Sequence, residues 1–277
     1  MTADLGQSSA VTTALLVEAS AVSSEDSIVL CEVAHAKDAV AAVPQQFLLY
    51  NDPTAEGAVS FEEWNLTCSY PPCSYRARLD LDVRVTEKLT AALLAAGASV
   101  TSLSGFGPPG VAATGGAAAD AAAGAARSAA PQLPRTVLLG MPSRRYERSV
   151  AMVPELLALG RHLFTYLDPL DLRVAVVVSG DLAHTWSADG PYGFSEHAAK
   201  FDAAVQDWAR QLDRDALIKV AAKHVGEAKS CGFPGLVALQ GVIDSVKPDN
   251  LHSILLEYGH PLYYGCMCAL FDFQGDA

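Results

Sequence analysis

Residues 173–201 read RVAVVVSGDLAHTWSADGPYGFSEHAAKF, and this stretch decides which fold the chain is predicted to have. Residues 173–178 form a short β-branched run without polar alternation, which is typical of a strand covered on both faces. The SGD tripeptide that follows tolerates a tight turn, so the strand is expected to end there. Asp181 and His184 are therefore expected at the carboxyl end of an interior strand, where open α/β sheets bind ligands.

Short apolar runs alternate with helical patterns along the rest of the chain. Strands are predicted at 27–33, 47–50, 99–103, 136–141 and 253–258, and helices at 11–22, 81–96, 150–167, 198–212, 215–224 and 233–246. This alternation predicts an α/β fold, with a central mixed sheet flanked by helices, in which 136–141 and 173–178 are interior strands. A chain of 277 residues is long enough to form one such domain with a sizeable core.

Residues 110–130 interrupt this pattern. They read GVAATGGAAADAAAGAARSAA, which offers almost no large apolar side chain for a core. We therefore expect a disordered insertion within a single domain that spans residues 1–277, rather than a boundary between two domains. Residues 60–75, which include Pro71 and Pro72, are expected to form a loop without chemistry.

The charge balance excludes several classes of partner. With a net charge of −12, the chain has no basic stripe to neutralise nucleic acid or an acidic membrane surface. No run reaches the roughly 18 to 20 apolar residues of a spanning helix, and the first residues lack the cationic start of a secretory signal. We therefore expect a cytoplasmic protein, and a homodimer is one of the assembly states left open. The six cysteines are expected to be thiols rather than disulfides.

Polar side chains that can form a site follow predicted strands or turns at several places. They are Asp181 with His184, Cys231 just before an apolar helix, His260 between a glycine and a proline, and the early strand ends at Glu32 with His35 and at Asn51 with Asp52. A helix N-terminus favours the thiolate, which is the reactive and metal-binding form of cysteine. The alternatives are that Asp181 caps a helix while His184 packs in the core, and that Cys231 is an inert buried thiol.

The spacing disfavours other catalytic arrangements. Ser179, Asp181 and His184 fall within six residues, too close to converge as a Ser-His-Asp triad does. The remaining histidines lie among charged neighbours and are predicted to be solvated rather than catalytic: His162, His197, His224 and His252.

Three segments, taken in their order and spacing, resemble the LigB-type (class III) extradiol ring-cleavage dioxygenases. They are VVVSGDLAHTWSADGPYGFSEHAAKFD at 176–202, KSCGFPGLVALQGVI at 229–243 and YGHPLYYGCMCALF at 258–271. MPSRRYERSVAMVPELLALGRHL at 141–163 and NLTCSYPPCSYRARL at 65–79 support the resemblance, which covers most of residues 60–105 and 135–272.

The resemblance implies an α/β enzyme that uses non-haem Fe(II), held by two histidines and an acidic residue, to insert O2 beside the two hydroxyls of a catechol-type aromatic substrate. By its place in the SGDLAH motif, His184 is similar to the family's acid/base histidine, which moves the catechol proton. Asp181 and His260 are the residues expected to share its catalytic pocket. The related MEMO proteins have a cysteine ligand where this chain has Cys231.

The early part of the chain departs from the family pattern. In family members two early strands end in a proline–histidine pair and in PHG, and those histidines bind the iron. Here the second strand ends in LLYNDP, with Asn51 and Asp52 where a histidine is expected, and the segment SIVLCEVAH offers His35 for the first. The metal-ligand candidates are therefore Cys231, His35 and Asp52. A metal-deficient pseudoenzyme or MEMO-like binding protein of the same fold stays open, and so does a chain that starts within a longer protein.

Overall fold

The computed structural model of this protein describes residues 11–14, 27–32, 46–60, 74–104, 134–141, 150–247, 249 and 251–273. Its strands are β1 (Val11–Ala14), β2 (Ser27–Glu32), β3 (Phe47–Tyr50), β4 (Thr54–Ser60), β5 (Ser74–Asp80), β6 (Val100–Leu103), β7 (Arg135–Gly140), β8 (Val174–Ser179), β9 (Leu251–Gly259) and β10 (Cys266–Phe273). Its helices are α1 (Val83–Ala95), α2 (Val153–Leu167), α3 (His197–Gln211), α4 (Ala222–Ala228) and α5 (Phe233–Ile243), and a π-helical segment, Ala216–Ala221, leads into α4. The segment predicted to be disordered, 110–130, lies outside the described residues.

A mixed sheet of eight described strands has the order β6-β3-β7-β2-β8-β1-β10-β9. Strands β7, β2, β8 and β1 run parallel to one another. Strand β3 is antiparallel to β7 and parallel to β6, and β10 is antiparallel to both β1 and β9. The predicted α/β fold with a mixed sheet is confirmed, and the two strands predicted to be interior, β7 and β8, each have a neighbour on both sides.

Strand β8 is buried along most of its length. Its residues from Val174 to Val178 are buried, and exposure begins at Ser179. Helix α5 covers one face of β8 and is itself buried at every position. A Cβ on Gly235 would lie 2.7 Å from Val178 Cγ1, so this glycine allows α5 to approach the strand closely. The first turn of α5 therefore lies beside the carboxyl end of β8.

Local signals set the ends of the helices. Asp82 Oδ1 accepts a hydrogen bond from Val85 N–H at 3.0 Å and so caps the start of α1. Gly97, just beyond that helix, has a φ of 82°, a left-handed conformation that glycine adopts without strain.

Among the described residues, no helix is both long enough and apolar enough to cross a membrane.

Two segments fold differently from their prediction. The sequence predicts a helix over residues 11–22, but residues 11–14 form β1, which pairs with β8 and β10. Its VTTA sequence is rich in β-branched residues, which fit a strand once two neighbours are available. The loop predicted over residues 60–75 includes the ends of β4 and β5, which pair as a separate antiparallel sheet. The apolar alternation in SYRARLD is the strand pattern in that segment.

Candidate active site

The turn after β8 is held by the elements on either side of it. Leu182 N–H donates to Gly265 O, and Gly265 N–H donates to Ala183 O, both at 2.8 Å. His184 N–H donates to Ala228 O, at the end of α4, at 2.7 Å. Because the turn is tied both to the start of β10 and to α4, its backbone presents the side chains of the SGDLAH segment in one defined arrangement.

Asp181 and His184 contact each other through their side chains. His184 Nε2 lies 3.2 Å from Asp181 Oδ2. The imidazole is buried, with 4% of the side chain exposed, whereas 39% of the Asp181 side chain is exposed. A carboxylate hydrogen bonded to one ring nitrogen orients the imidazole and sets which nitrogen carries the proton.

Cys231 joins this pair from a distant part of the sequence. Its Sγ accepts a hydrogen bond from Asp181 N–H at 3.1 Å. Its two neighbours, Ser230 through Oγ and Gly232 through N–H, both donate to Asp181 O at 2.9 Å. A Cβ on Gly232 would lie 2.9 Å from that carbonyl oxygen, so glycine is needed for the close approach. The sulfur thus lies beside the N-terminus of α5, 3.1 Å from Asp181 N and 3.8 Å from Asp181 O, and cysteine binds metals as the thiolate.

The ligand atoms of Asp181, His184 and Cys231 lie within 4.8 Å of one another. A carboxylate oxygen, an imidazole nitrogen and a thiolate sulfur together are a donor set that transition metals accept. The set differs from the two-histidine, one-carboxylate triad of many non-haem Fe(II) oxygenases, because sulfur stands where a second imidazole is expected. The residues present therefore fit a metal ion without specifying which one.

Three tyrosines surround the His184 ring. The Tyr192 ring stacks on it, with centroids 5.3 Å apart and planes 20° apart. Tyr263 and Tyr264 meet it edge-on, at 6.1 Å and 6.5 Å between centroids. Burial, and then the negative charge of Asp181, raise the pKa of Tyr263, so its phenol is a hydrogen-bond donor at neutral pH. The sequence prediction missed this aromatic wall, although the GPYG and LYYG turns that carry it were the available signal.

The structure does not bring Asp52 to this site. Strand β3 is antiparallel to β7, with Leu48 opposite Gly140, so the chain leaving β3 runs toward the amino end of β7. Leu81 N–H donates to Pro53 O at that end. Asp52 therefore lies at the edge of the sheet that holds the amino ends of β7 and β8, whereas the site lies at the edge that holds their carboxyl ends. The two edges are about 15 Å apart, because a strand rises about 3.3 Å per residue. The orientation of β3 thus removes Asp52 from the ligand candidates for this site.

The other early candidate, His35, lies outside the described residues. Strand β2 ends with Glu32 paired with Ser179 of β8, so β2 does reach the edge of the sheet where the site lies. His260 is exposed, and its ring stacks in parallel on Trp186 at 3.9 Å between centroids. It is not among the three residues whose ligand atoms converge, and it meets the site through Trp186.

Two further polar features were missed by the sequence prediction. Asp202 is a fully buried carboxylate behind the turn that bears His184. His197 and His224, predicted to be solvated, are instead half-buried and lie 2.9 Å apart between their Nδ1 atoms. They meet because α3 and α4 pack together, and nothing in the local sequence of either histidine signals that contact.

Part of the chain is similar to known proteins. The family described as "Catalytic LigB subunit of aromatic ring-opening dioxygenase" matches residues 149–263. Protein CA_C1420 of Clostridium acetobutylicum is 26% identical over 93 residues, which are 34% of this chain and 20% of that protein, so the match spans about a fifth of that relative's length. The solved structure of uncharacterized protein JW3007 from Escherichia coli aligns over 89% of this chain and 85% of that one, with 12% identity and a TM-score of 0.46.

The family match falls on the same residues that converge in the structure. Residues 149–263 contain β8, the turn with Asp181 and His184, the start of α5 with Cys231, and the turn with His260. Through this region the chain is similar to the LigB family of aromatic ring-opening dioxygenases.

Proposed function

We propose that the protein is an extradiol dioxygenase that opens a catechol-type aromatic ring with O2 and uses Fe(II). The observation that carries this proposal is the convergence of Asp181, His184 and Cys231 at the carboxyl end of an interior strand, inside the region that matches the LigB family. Ligands of open α/β sheets bind at that edge, and the carboxylate of Asp181 and the sulfur of Cys231 are groups that bind a transition metal, with His184 beside them.

In this proposal Cys231 Sγ and Asp181 are the described groups that hold the metal. Bound Fe(II) supplies the activation of O2 and a binding point for the catechol oxygens. Further ligands come from early strand ends at the same edge, for which His35, three residues after the end of β2, is the candidate. The main-chain bond from Asp181 N–H to Cys231 keeps the sulfur in place before a metal arrives.

His184 has the proton-transfer role. We propose that its imidazole takes the proton from a catechol hydroxyl, and that Asp181 Oδ2, 3.2 Å from Nε2, stabilises the imidazolium that forms. Burial of the imidazole separates it from bulk water, so the proton is retained for return to the product. In this scheme His260 affects the site indirectly, through the Trp186 ring on which it stacks beside the turn.

The aromatic wall suits an aromatic substrate. Tyr192 is 47% exposed while its ring stacks on His184, so one side of that ring remains open to a ligand. Offset stacking between aromatic rings stabilises a complex by about 0.5 to 1.5 kcal/mol beyond the burial of area. The protonated phenol of Tyr263 adds a donor that can bind a substrate oxygen.

A second candidate is a binding protein of the same fold without iron chemistry. Two observations favour it: His184 is the single histidine in the described donor set, and Asp52 lies at the far edge of the sheet. In that case the site binds a ligand, and substitution of His184 changes its affinity without any effect on O2.

Oxygen uptake distinguishes the two candidates. Wild-type protein and His184→Ala are loaded anaerobically with Fe(II) and then given a panel of catechols in aerated buffer. The dioxygenase proposal expects uptake in wild type and a loss of about 10²- to 10⁴-fold in His184→Ala, which is the usual contribution of a general acid/base. His252→Ala, at an exposed position on β9, is the matched control and should keep full activity. Equal, background-level uptake in wild type and His184→Ala would exclude the dioxygenase proposal.

A further inference from the structure

We propose that Asp202 is a positioning residue for the site: its buried carboxylate holds the turn at residues 182–186, and through that turn it sets the places of His184 and of the Trp186–His260 stack. The inference rests on the proposed function only for its activity readout. The contacts that carry it belong to α3, to the turn after β8 and to the end of β9.

The Asp202 carboxylate accepts three hydrogen bonds. Ala183 N–H donates to Oδ1 at 2.9 Å. Trp186 Nε1–H and the Tyr258 hydroxyl both donate to Oδ2, each at 2.8 Å. One side chain of α3 therefore connects the residue before His184, an aromatic residue two positions after it, and a tyrosine of β9.

The chain leaves room for this carboxylate at a buried point. Asp202 is 0% exposed, and burial raises its pKa while its three hydrogen bonds oppose that rise. A Cβ on Gly265 would overlap Asp202 Oδ2, so the glycine that binds the turn also provides the space for the acceptor. Burying a carboxylate is a poor way to gain stability, since an apolar side chain of similar volume often does at least as well. The buried carboxylate is therefore better explained by the residues it positions than by a gain in stability.

The contacts of Asp202 lead directly to both histidines of the turn region. Ala183 precedes His184, so the bond to Ala183 N–H fixes the peptide that carries the imidazole. Trp186 is held through its ring nitrogen, and that ring is the surface on which His260 stacks at 3.9 Å. Without the acceptor, the Trp186 ring is no longer hydrogen bonded to α3. The position of the His260 ring, which stacks on Trp186, is then no longer fixed through that bond.

The test uses Asp202→Asn, which keeps the size of the side chain. The amide oxygen can still accept from Ala183 N–H, and the Tyr258 hydroxyl can reverse its role and accept from the amide nitrogen. The Trp186 ring nitrogen is a donor only, so its bond is the specific loss. Tyr258→Phe is the matched control, because it removes the other donor to Oδ2 and leaves the Trp186 bond intact.

The first readout is tryptophan fluorescence, which does not depend on enzyme activity. In a Trp64→Phe background, the accessible tryptophan signal is that of Trp186, since Trp208 is 0% exposed. We expect Asp202→Asn to raise the acrylamide quenching of Trp186 and its fast anisotropy decay, and Tyr258→Phe to change neither. Quenching and anisotropy equal to those of the parent would overturn the inference.

The second readout is the split between kcat and KM in ring cleavage. We expect Asp202→Asn to lower kcat by about 10- to 100-fold, the effect of misplacing a reacting group by about 1 Å, with KM and metal content close to those of wild type. If Asp202→Asn does not fold, Trp186→Phe removes the same bond from the other side and must lower kcat, and a wild-type kcat in that variant would refute the inference. If wild type itself consumes no O2, the proposed function fails while the fluorescence result still decides the role of Asp202.

Discussion

The main chain of Asp181 organises the sulfur side of the site. Its N–H donates to Cys231 Sγ at 3.1 Å, and its carbonyl oxygen accepts from Ser230 and Gly232 on either side of that cysteine. The Cys231 Sγ itself lies 3.8 Å from that oxygen, a weak contact, whereas Ser230 Oγ and Gly232 N–H both donate to it at 2.9 Å, so the turn and the start of α5 should stay together when the sulfur is removed. Metal binding and folding can therefore be separated at this residue.

Cys231→Ala should lower metal affinity while the protein stays folded. Loss of even an outer partner of a metal ligand usually weakens binding about 10- to 100-fold, so loss of a ligand should cost at least that much. The measurement is metal content by elemental analysis after dialysis against defined free Fe(II), on protein without a metal-binding tag. Cys268→Ala, on β10, is the control and should bind as wild type does. Equal metal content in wild type and Cys231→Ala would show that the sulfur is not a ligand.

At the level of elements, α2 and α5 approach each other through a pair of glycines. A Cβ on Gly160 would overlap Ala238 O and would lie 2.7 Å from Gly241 Cα. Helix α5 is buried along its whole length, so it has little freedom to move away. The close contact places α5 over β8 and thereby sets where its first residues, beside Cys231, meet the turn.

Gly160→Ala should destabilise the protein, although alanine is the better helix former. The added methyl group has no space between the two backbones, and such overpacking usually costs about 1 to 3 kcal/mol. Gly226→Ala in α4 is the matched control, because nothing lies within 4 Å of its added Cβ, and it should be neutral or stabilise by up to about 1 kcal/mol. Urea denaturation of the three proteins measures the difference. A Gly160→Ala protein as stable as the control would mean that the helices are not in the described contact.

The contact between α3 and α4 should make stability depend on pH. Burial, and then the charge of His197, lower the pKa of His224 from its ordinary value of 6.5, with Lys200 and Lys223 acting in the same direction and Glu196 against them. The unfolded chain therefore binds a proton at His224 at a higher pH than the folded chain does. As the pH falls below about 6.5 the unfolded state gains protons first, and the free energy of unfolding decreases.

His224→Gln should remove part of that decrease, because glutamine keeps a polar side chain and does not titrate. The measurement is the free energy of unfolding by urea at pH 7.5 and at pH 5.5, in wild type, in His224→Gln and in His252→Gln as an exposed control. We expect the loss between the two pH values to be smaller in His224→Gln than in the other two proteins. An identical loss in all three would contradict the assignment.

For the whole molecule, the predicted disordered segment has a defined place in the topology. Strand β6 ends at Leu103 and β7 begins at Arg135, and these two strands lie on either side of β3 in the sheet. The connection that contains residues 110–130 thus joins two strands of the same sheet. Our proposal that residues 1–277 form a single domain implies that a cut in this connection separates no folding unit.

Limited proteolysis with elastase, which cleaves after small residues, should cut first within residues 110–130. Chain segments of small polar and alanine-rich composition are preferred sites of nicking. The two fragments should remain together on size-exclusion chromatography and separate only in denaturant, since β6 and β7 both belong to the eight-stranded sheet. A first cut inside β7 or β8, or fragments that separate without denaturant, would contradict the single-domain proposal.

The sequence by itself determined the elements whose signal is local. The apolar run of β8 ends at SGD, apolar runs predict β7 and α5, and Gly97 lies just beyond the end of α1. These features depend on side chains a few residues apart, which periodicity and turn chemistry report directly. The SGDLAH and KSCGFPG segments likewise led to His184 and Cys231, because each segment is contiguous and both resemble one family.

Only the tertiary structure decided which of these segments meet and in which direction. The strand pattern of β3 has no direction, and its antiparallel pairing with β7 is what carries Asp52 away from the site. The VTTA segment became β1 because β8 and β10 offered two edges to pair with, and Asp202 and the His197–His224 pair took their roles from helices packed against distant turns. Strand pairing and buried hydrogen bonds join residues far apart in sequence, and their free energy depends on a partner that the local pattern does not contain.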